Sequence, residues 1–191
     1  NQDRLKRLGE FARDLAGEGP KPILETVLGG KPEEWDQVKQ PMADALADWA
    51  AVAAAAGVVV AIKGHVMNAA HRPEDVAWLV RTVGSPWLKA AFDFSHFERQ
   101  GMTIGGALRT LLPDTVFIHV KDNRTLPDGK LEFALPGEGA TDYVEYLRQL
   151  VRGNYRGAVC VEVSAQVSGK PDYNPIIAAE RSYLNLQRAF E

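Results

Sequence analysis

Four runs of this chain decide its fold: VVVAIK at residues 58–63, LKAAFD at 88–93, TVFIHVK at 115–121 and AVCVE at 158–162. Both alternating faces of these runs are mostly small or apolar, which favours strands of a parallel sheet covered by helices. Each run also carries a charged or imidazole side chain at or near its C-terminal end: Lys63, Asp93, His119 and Glu162. Since right-handed crossovers bring the C-terminal ends of parallel strands to one side, these side chains predict an active site there.

Helical patterns separate the runs. Apolar periodicity, acidic first turns and Gly or Pro stops predict a strand at 22–28 and helices at 3–16, 31–56, 73–83, 103–112, 141–152 and 175–190. Pro41 predicts a kink or break in the second helix, and Thr141 is the expected cap of the fifth. Five strands alternating with helices are compatible with two architectures, an open doubly wound sheet and part of a (β/α)₈ barrel. The convergent polar ends favour the barrel, and no G-x-G-x-x-G follows a strand.

Composition excludes several functional classes. The 191 residues carry a formal net charge of −3, which gives no electrostatic footprint for nucleic acid or for an anionic membrane. The Ala-rich residues 43–57 are interrupted by charges, so they predict an amphipathic helix and not a membrane span. The single cysteine, Cys160, is expected to be a small buried residue in a reducing compartment. We therefore expect a soluble, cytoplasmic protein.

The order of five short segments resembles one family. They are AIKGH at 61–65, FDFSHF at 92–97, FIHVKD at 117–122, LPGEG at 135–139 and YRGAVCVEVS at 155–164. Together they resemble the xylose-isomerase-like TIM barrels, which include sugar phosphate isomerases and epimerases and also apurinic-site endonucleases. The resemblance covers almost the whole chain and implies an α/β fold, a (β/α)₈ TIM barrel, with residues 1–191 forming a single domain.

The resemblance also implies a site. Asp93, His119 and Glu162 fall on three of the four usual metal-ligand positions, and His96 matches the histidine of an Asp-x-x-His segment. The ligand set of oxygen and nitrogen donors suits Mn²⁺, Mg²⁺ or Zn²⁺. The fourth position, usually Glu, is Lys63, whose ammonium group could take the electrostatic place of the metal. Metal binding therefore stays open at this point.

The chain also departs from the family in its strand count. Five strands predict an incomplete barrel, the C-terminal five-eighths, in which the first three strands are missing. A cut barrel exposes strand edges and its apolar interior, so we expect these residues alone to be marginally stable, to aggregate or to pair with another chain. A monomer with a cooperative thermal transition would contradict this expectation. A homo-oligomer is left open.

The chemistry implied by the resemblance is proton transfer at carbon next to a carbonyl, through an enediolate. Glu162 is the expected base, and a metal ion or Lys63 is the expected positive group at the developing oxyanion. Lys121 is expected to bind a substrate oxygen or phosphate, and His65 and His96 to donate hydrogen bonds to sugar hydroxyls. The expected substrate is a small sugar or sugar phosphate.

Other interpretations remain. Lys63 could form a buried ion pair with Glu162 or Asp93 in a catalytically inactive barrel that binds carbohydrate, with His65 and His96 as structural residues at its rim. Asp122 should face away from His119 and brace a loop, and Glu138 should bond backbone amides in its turn. A hydrolase acting on abasic DNA is the least favoured reading, because residues 122–138 contain no histidine for a multi-zinc centre.

Overall fold

The computed structural model describes residues 2–191, which divide into two compact units. The first unit ends at Phe117 and the second runs from Ile118 to Glu191. None of the helices in residues 2–191 combines the length and apolar character that crossing a membrane requires.

The first unit alternates helices and strands, as the sequence predicts. Its elements are α1 (Gln2–Ala16), β1 (Ile23–Val27), α2 (Trp35–Ala56), β2 (Val59–Lys63), α3 (Pro73–Val83), β3 (Leu88–Asp93), α4 (Phe94–Glu98), α5 (Ile104–Leu111) and the first half of β4 (Thr115–Val120). Short 3₁₀ turns at Pro32–Glu34 and Leu112–Asp114 precede α2 and β4. Helix α2 continues through Pro41, so the expected break does not occur there.

Strands β1, β2 and β3 form the parallel core of this unit. Lys63 at the end of β2 is in register with Val27 on β1 and with Ala91 on β3. Val60, Ile62 and Phe92 on one face and Ala61 and Ala91 on the other are all almost completely buried, which confirms that β2 and β3 are covered on both faces. Burial of this kind supplies the main stabilising term, roughly 25 cal/mol per Å² of apolar surface.

The second unit begins with the end of β4. Its further elements are β5 (Asp122–Thr125), β6 (Leu131–Ala134), α6 (Tyr143–Arg152), β7 (Ala158–Val161), α7 (Ala165–Ser168) and α8 (Pro175–Phe190). Strands β5 and β6 form an antiparallel hairpin, which is not among the elements predicted from the sequence. The backbone N–H of Glu162 donates to the carbonyl of Val120 at 2.9 Å, so the ends of β4 and β7 lie side by side.

The predictions for the cap of α6 and for Cys160 fail. Asp142, and not Thr141, caps α6, because its Oδ1 accepts from the N–H of Glu145 at 2.9 Å while the N–H of Thr141 donates to Asp122. Cys160 is exposed instead of buried. Its neighbour on the same face of β7, Ala158, is exposed as well, so within the described residues nothing covers that face.

Candidate active site

The first unit holds a cluster of buried charges at the ends of β2 and β3. Lys63 Nζ lies 2.9 Å from Glu25 Oε1 and 3.8 Å from Asp93 Oδ2. The register explains this arrangement, because Glu25 pairs with Ala61 and Asp93 lies two residues beyond Ala91, so all three side chains share one face of the sheet. Lys63 and Asp93 are only 8% and 1% exposed, and a buried ammonium group needs such partners.

Asp93 also begins the short helix α4. Its Oδ1 accepts hydrogen bonds from the N–H and the hydroxyl of Ser95, at 3.2 and 2.7 Å. One turn later His96 places Nε2 3.4 Å from Asp93 Oδ2. The carboxylate is therefore held by Ser95 through one oxygen and faces Lys63 and His96 with the other.

His65 lies beside this cluster, on the loop after β2. Its ring centroid is 4.3 Å from that of His96, with the rings tilted by 46°. The N–H of Met67 donates to His65 Nδ1 at 3.2 Å, so Nε2 carries the proton of the neutral ring and is a donor. Gly64 lets the backbone before His65 pass close to Phe97, since a Cβ there would lie 3.0 Å from the Phe97 ring.

Glu25 is the nearer of the two carboxylates that Lys63 contacts, and Asp93 is the second. The sequence predicts Asp93 or Glu162, and not Glu25, as the ion-pair partner of Lys63. An isolated carboxylate in the middle of the apolar strand ILETV was the available signal.

The second unit places three predicted residues together at the ends of β4 and β7. Glu162 Oε2 lies 3.0 Å from His119 Nδ1, and Glu162 Oε1 lies 3.0 Å from Lys121 Nζ. The side chain of Lys121 is 6% exposed, whereas that of Glu162 is 34% exposed. A carboxylate held by two donors but open to solvent is oriented and still accessible to a small molecule.

Asp122 faces away from this group and braces a turn, as the sequence predicts. It is fully buried, and its carboxylate accepts four backbone N–H groups at 2.9–3.0 Å, from Asn123, Gly137, Gly139 and Thr141. A Cβ at Gly139 would overlap Asp122 Oδ1, so this position of the PGEG turn requires glycine.

Two further polar residues have structural partners. Glu138 forms an ion pair with Arg181 on α8, and not the backbone hydrogen bonds expected from the sequence. His71 precedes α3, with Nδ1 2.9 Å from the carbonyl of Ala69 and 3.4 Å from Asp75 Oδ2. Burial raises the pKa of the Asp75 carboxyl, although N–H donors from Arg72 and His71 oppose the shift. These residues belong to loops and helix ends.

The structure thus groups the predicted residues by unit. Lys63, Asp93 and His96 lie together in the first unit, with His65 beside His96. In the second unit, His119 and Lys121 both contact Glu162.

Comparisons with solved structures find the same fold in several proteins. One is the apo 3-keto-D-glucoside 4-epimerase of E. coli, at 19% identity over 98% of this chain and 70% of that one, with a TM-score of 0.74. The IolI protein with a bound zinc atom shares 21% identity over 98% of this chain and 66% of its own, with a TM-score of 0.75. A xylose isomerase-like TIM barrel protein from Mycobacterium smegmatis, in complex with magnesium, shares 18% sequence identity over 100% of this chain and 68% of its own, with a TM-score of 0.70.

These identities show the fold alone, and the chain spans about two thirds of the length of these proteins. No curated protein matches the chain. A family model described as xylose isomerase-like TIM barrel, however, matches residues 2–185. Since this match covers nearly the whole sequence, the chain belongs to the xylose isomerase-like TIM barrel family.

Proposed function

We propose that the protein is a sugar isomerase or epimerase that transfers a proton at carbon next to a carbonyl. The observation that carries the proposal is the Glu162 carboxylate, held between His119 Nδ1 and Lys121 Nζ at 3.0 Å each and partly open to solvent. A general base must be oriented and must reach the proton that it removes, and Glu162 meets both conditions. Family membership and the epimerase of similar fold support the same class of reaction.

The proposed reaction is a proton transfer through an enediolate. Glu162 takes the proton from the carbon, the electron pair of that bond forms the enediolate double bond, and the carbonyl oxygen becomes an oxyanion. Lys121 donates to a substrate oxygen, and His65 and His96 donate to hydroxyl groups. The product is an isomer when the oxyanion takes the proton of the adjacent hydroxyl group and Glu162 returns its own proton to the former carbonyl carbon. The product is an epimer when water on the opposite face protonates the original carbon and Glu162 releases its proton to solvent.

We further propose that Asp93, His119 and Glu162 bind a divalent metal ion, Mn²⁺, Mg²⁺ or Zn²⁺. Two carboxylates and one imidazole are suitable donors for these ions. The fit is supported within the second unit by His119 and Glu162, whose Nδ1 and Oε2 already lie 3.0 Å apart. When bound, the ion would supply positive charge at the carbonyl oxygen. If no ion binds, Lys63 supplies that charge.

Metal titration followed by calorimetry tests this ligand set without an activity assay. We expect Asp93→Asn and His119→Gln each to weaken Mn²⁺ binding by at least about tenfold, because each variant removes a ligand. Asp114→Asn is the control, since this carboxylate instead pairs with Arg81 at 2.8 Å. Binding that survives both ligand substitutions would contradict the proposed set.

One observation favours a second candidate, a carbohydrate-binding protein without activity. The buried Lys63–Glu25 ion pair is also what a structural replacement of a metal site would look like. A panel of aldoses, ketoses and keto sugars, with products followed by NMR, decides between the two. Conversion of a sugar to an isomer or epimer supports the enzyme, whereas binding of a sugar without conversion of any member supports the binding protein.

A further inference from the structure

The second unit contains a cleft outside the His119–Lys121–Glu162 group. It has a volume of about 300 Å³ and lies between the β5–β6 hairpin, α7 and the start of α8. Its apolar floor consists of Leu135, Val167 and Ala178, which are buried, with Phe133 and Tyr173 packed against them. A cavity of roughly 150 Å³ holds a benzene ring, so this cleft has room for a substituted ring.

Ion pairs and one hydrogen bond hold the walls of the cleft. Glu132 on β6 contacts Arg124 at 2.6 Å and Lys170 at 3.7 Å. The side chain of Gln166 on α7 accepts from the N–H of Phe133 at 2.9 Å, which ties the hairpin to that helix. The cleft is therefore preformed, and a ligand would lose little free energy in ordering it.

The charges around the cleft are balanced. Its lining includes three cationic and three anionic side chains: Arg124, Lys170, Arg181, Glu132, Glu138 and Asp172. Arg124 is paired with Glu132 and Arg181 with Glu138, so an incoming phosphate would have to displace a carboxylate. An apolar floor under a neutral, polar rim instead fits an uncharged ring with a few hydrogen-bonding substituents.

Phe133 connects the cleft to the proposed base. It lines the cleft, and Lys121 Nζ lies 5.8 Å from its ring centroid, within cation–π range. The same Nζ contacts Glu162 at 3.0 Å. Lys121 therefore contacts both the proposed base and a ring that lines the cleft.

We propose that the cleft binds the uncharged aglycone ring of a glycoside while Glu162 acts on its sugar. The substrate is then a neutral glycoside and neither a free monosaccharide nor a sugar phosphate. A glycosidic bond prevents ring opening, so the carbonyl that acidifies the proton must lie on a ring carbon. The part of this inference that concerns the reaction rests on the proposed function, whereas the binding of the ring in the cleft does not.

A pair of alanines on α8 provides the test. Ala178 lies in the floor of the cleft, whereas Ala179 next to it is exposed. Ala178→Leu fills the floor, and Ala179→Leu adds the same side chain outside it. The probes are a keto sugar and its phenyl glycoside, each followed by exchange of the carbon-bound proton in D₂O. Saturation-transfer NMR with phenyl glucoside measures binding without turnover.

In the unmodified protein, we expect kcat/KM to be at least about tenfold higher for the phenyl glycoside than for the free keto sugar. Ala178→Leu should remove this preference and leave kcat/KM for the free keto sugar unchanged. Ala179→Leu should retain the preference for the phenyl glycoside. Equal rates for both probes in the unmodified protein, or equal losses in Ala178→Leu, would overturn the inference. If neither probe exchanges its proton, the proposed reaction is wrong and binding of phenyl glucoside alone tests the cleft. Binding to the unmodified protein and to Ala179→Leu, but not to Ala178→Leu, supports the proposed ring site. Absence of binding to the unmodified protein overturns it.

Discussion

Replacement of Glu162 by Gln is expected to slow exchange of the sugar proton by about 10²–10⁴-fold, the usual contribution of a general base. Gln keeps the size of the side chain, and its single amide oxygen can still accept from one of the two groups, His119 or Lys121, that lie 3.0 Å from the carboxylate. It cannot take up a proton from carbon. The loss should therefore appear in kcat, with a much smaller change in KM, because binding contacts persist while the proton acceptor is removed.

Glu145→Gln is the matched control for this variant. Glu145 is a carboxylate of the same unit, on α6, where it interacts with Gln149 and Arg152 and not with the β4 and β7 ends. It should leave the exchange rate unchanged. A Glu162→Gln protein that melts like the unmodified one and keeps more than half of its exchange rate would show that another group is the base.

Replacement of Asp122 by Ala should produce the largest loss of stability. Its buried carboxylate accepts four backbone N–H groups, and no other acceptor among the described residues takes the place of its two oxygens in the Gly137–Thr141 turn. If two of these N–H groups stay unsatisfied, at roughly 2 kcal/mol each, the free energy of unfolding falls by about 4 kcal/mol. Urea unfolding monitored by circular dichroism measures this change.

Asp142→Ala removes the carboxylate that directly follows the Gly137–Thr141 turn and serves as the comparison. Asp142 is exposed and accepts one N–H, from Glu145, as the cap of α6. Loss of such a cap costs about 1 kcal/mol. Equal destabilisation by the two substitutions would mean that water or a local shift replaces Asp122, and that the PGEG turn does not depend on it.

Much of the fold could be predicted because the strands carry a strong local signal. The continuous apolar runs ending at Lys63 and Asp93 can be buried only in a covered parallel sheet, and β2 and β3 are buried in that way. The β5–β6 hairpin was missed because side-chain contacts that the sequence pattern does not reveal hold it in place. Glu132 pairs with Arg124 across the two strands, and Gln166, far along the chain, accepts a hydrogen bond from the N–H of Phe133.

The candidate site could be predicted only in part, for a similar reason. Residues at strand ends stand out in the sequence, and within the second unit Glu162 contacts both His119 and Lys121. Glu25 was overlooked because it lies in the middle of β1, and only the register places it beside Lys63. Cys160 was misplaced because an apolar strand sequence does not reveal which face is left uncovered.

The most direct test of the central claim is to let the protein convert a sugar in D₂O and to locate deuterium in the product. Glu162 is partly exposed, so a proton that it removes should exchange with solvent before it returns. The account predicts deuterium at the carbon that receives this proton. A product formed without any deuterium at carbon would contradict this prediction, and with it the role of the partly exposed Glu162 as the base.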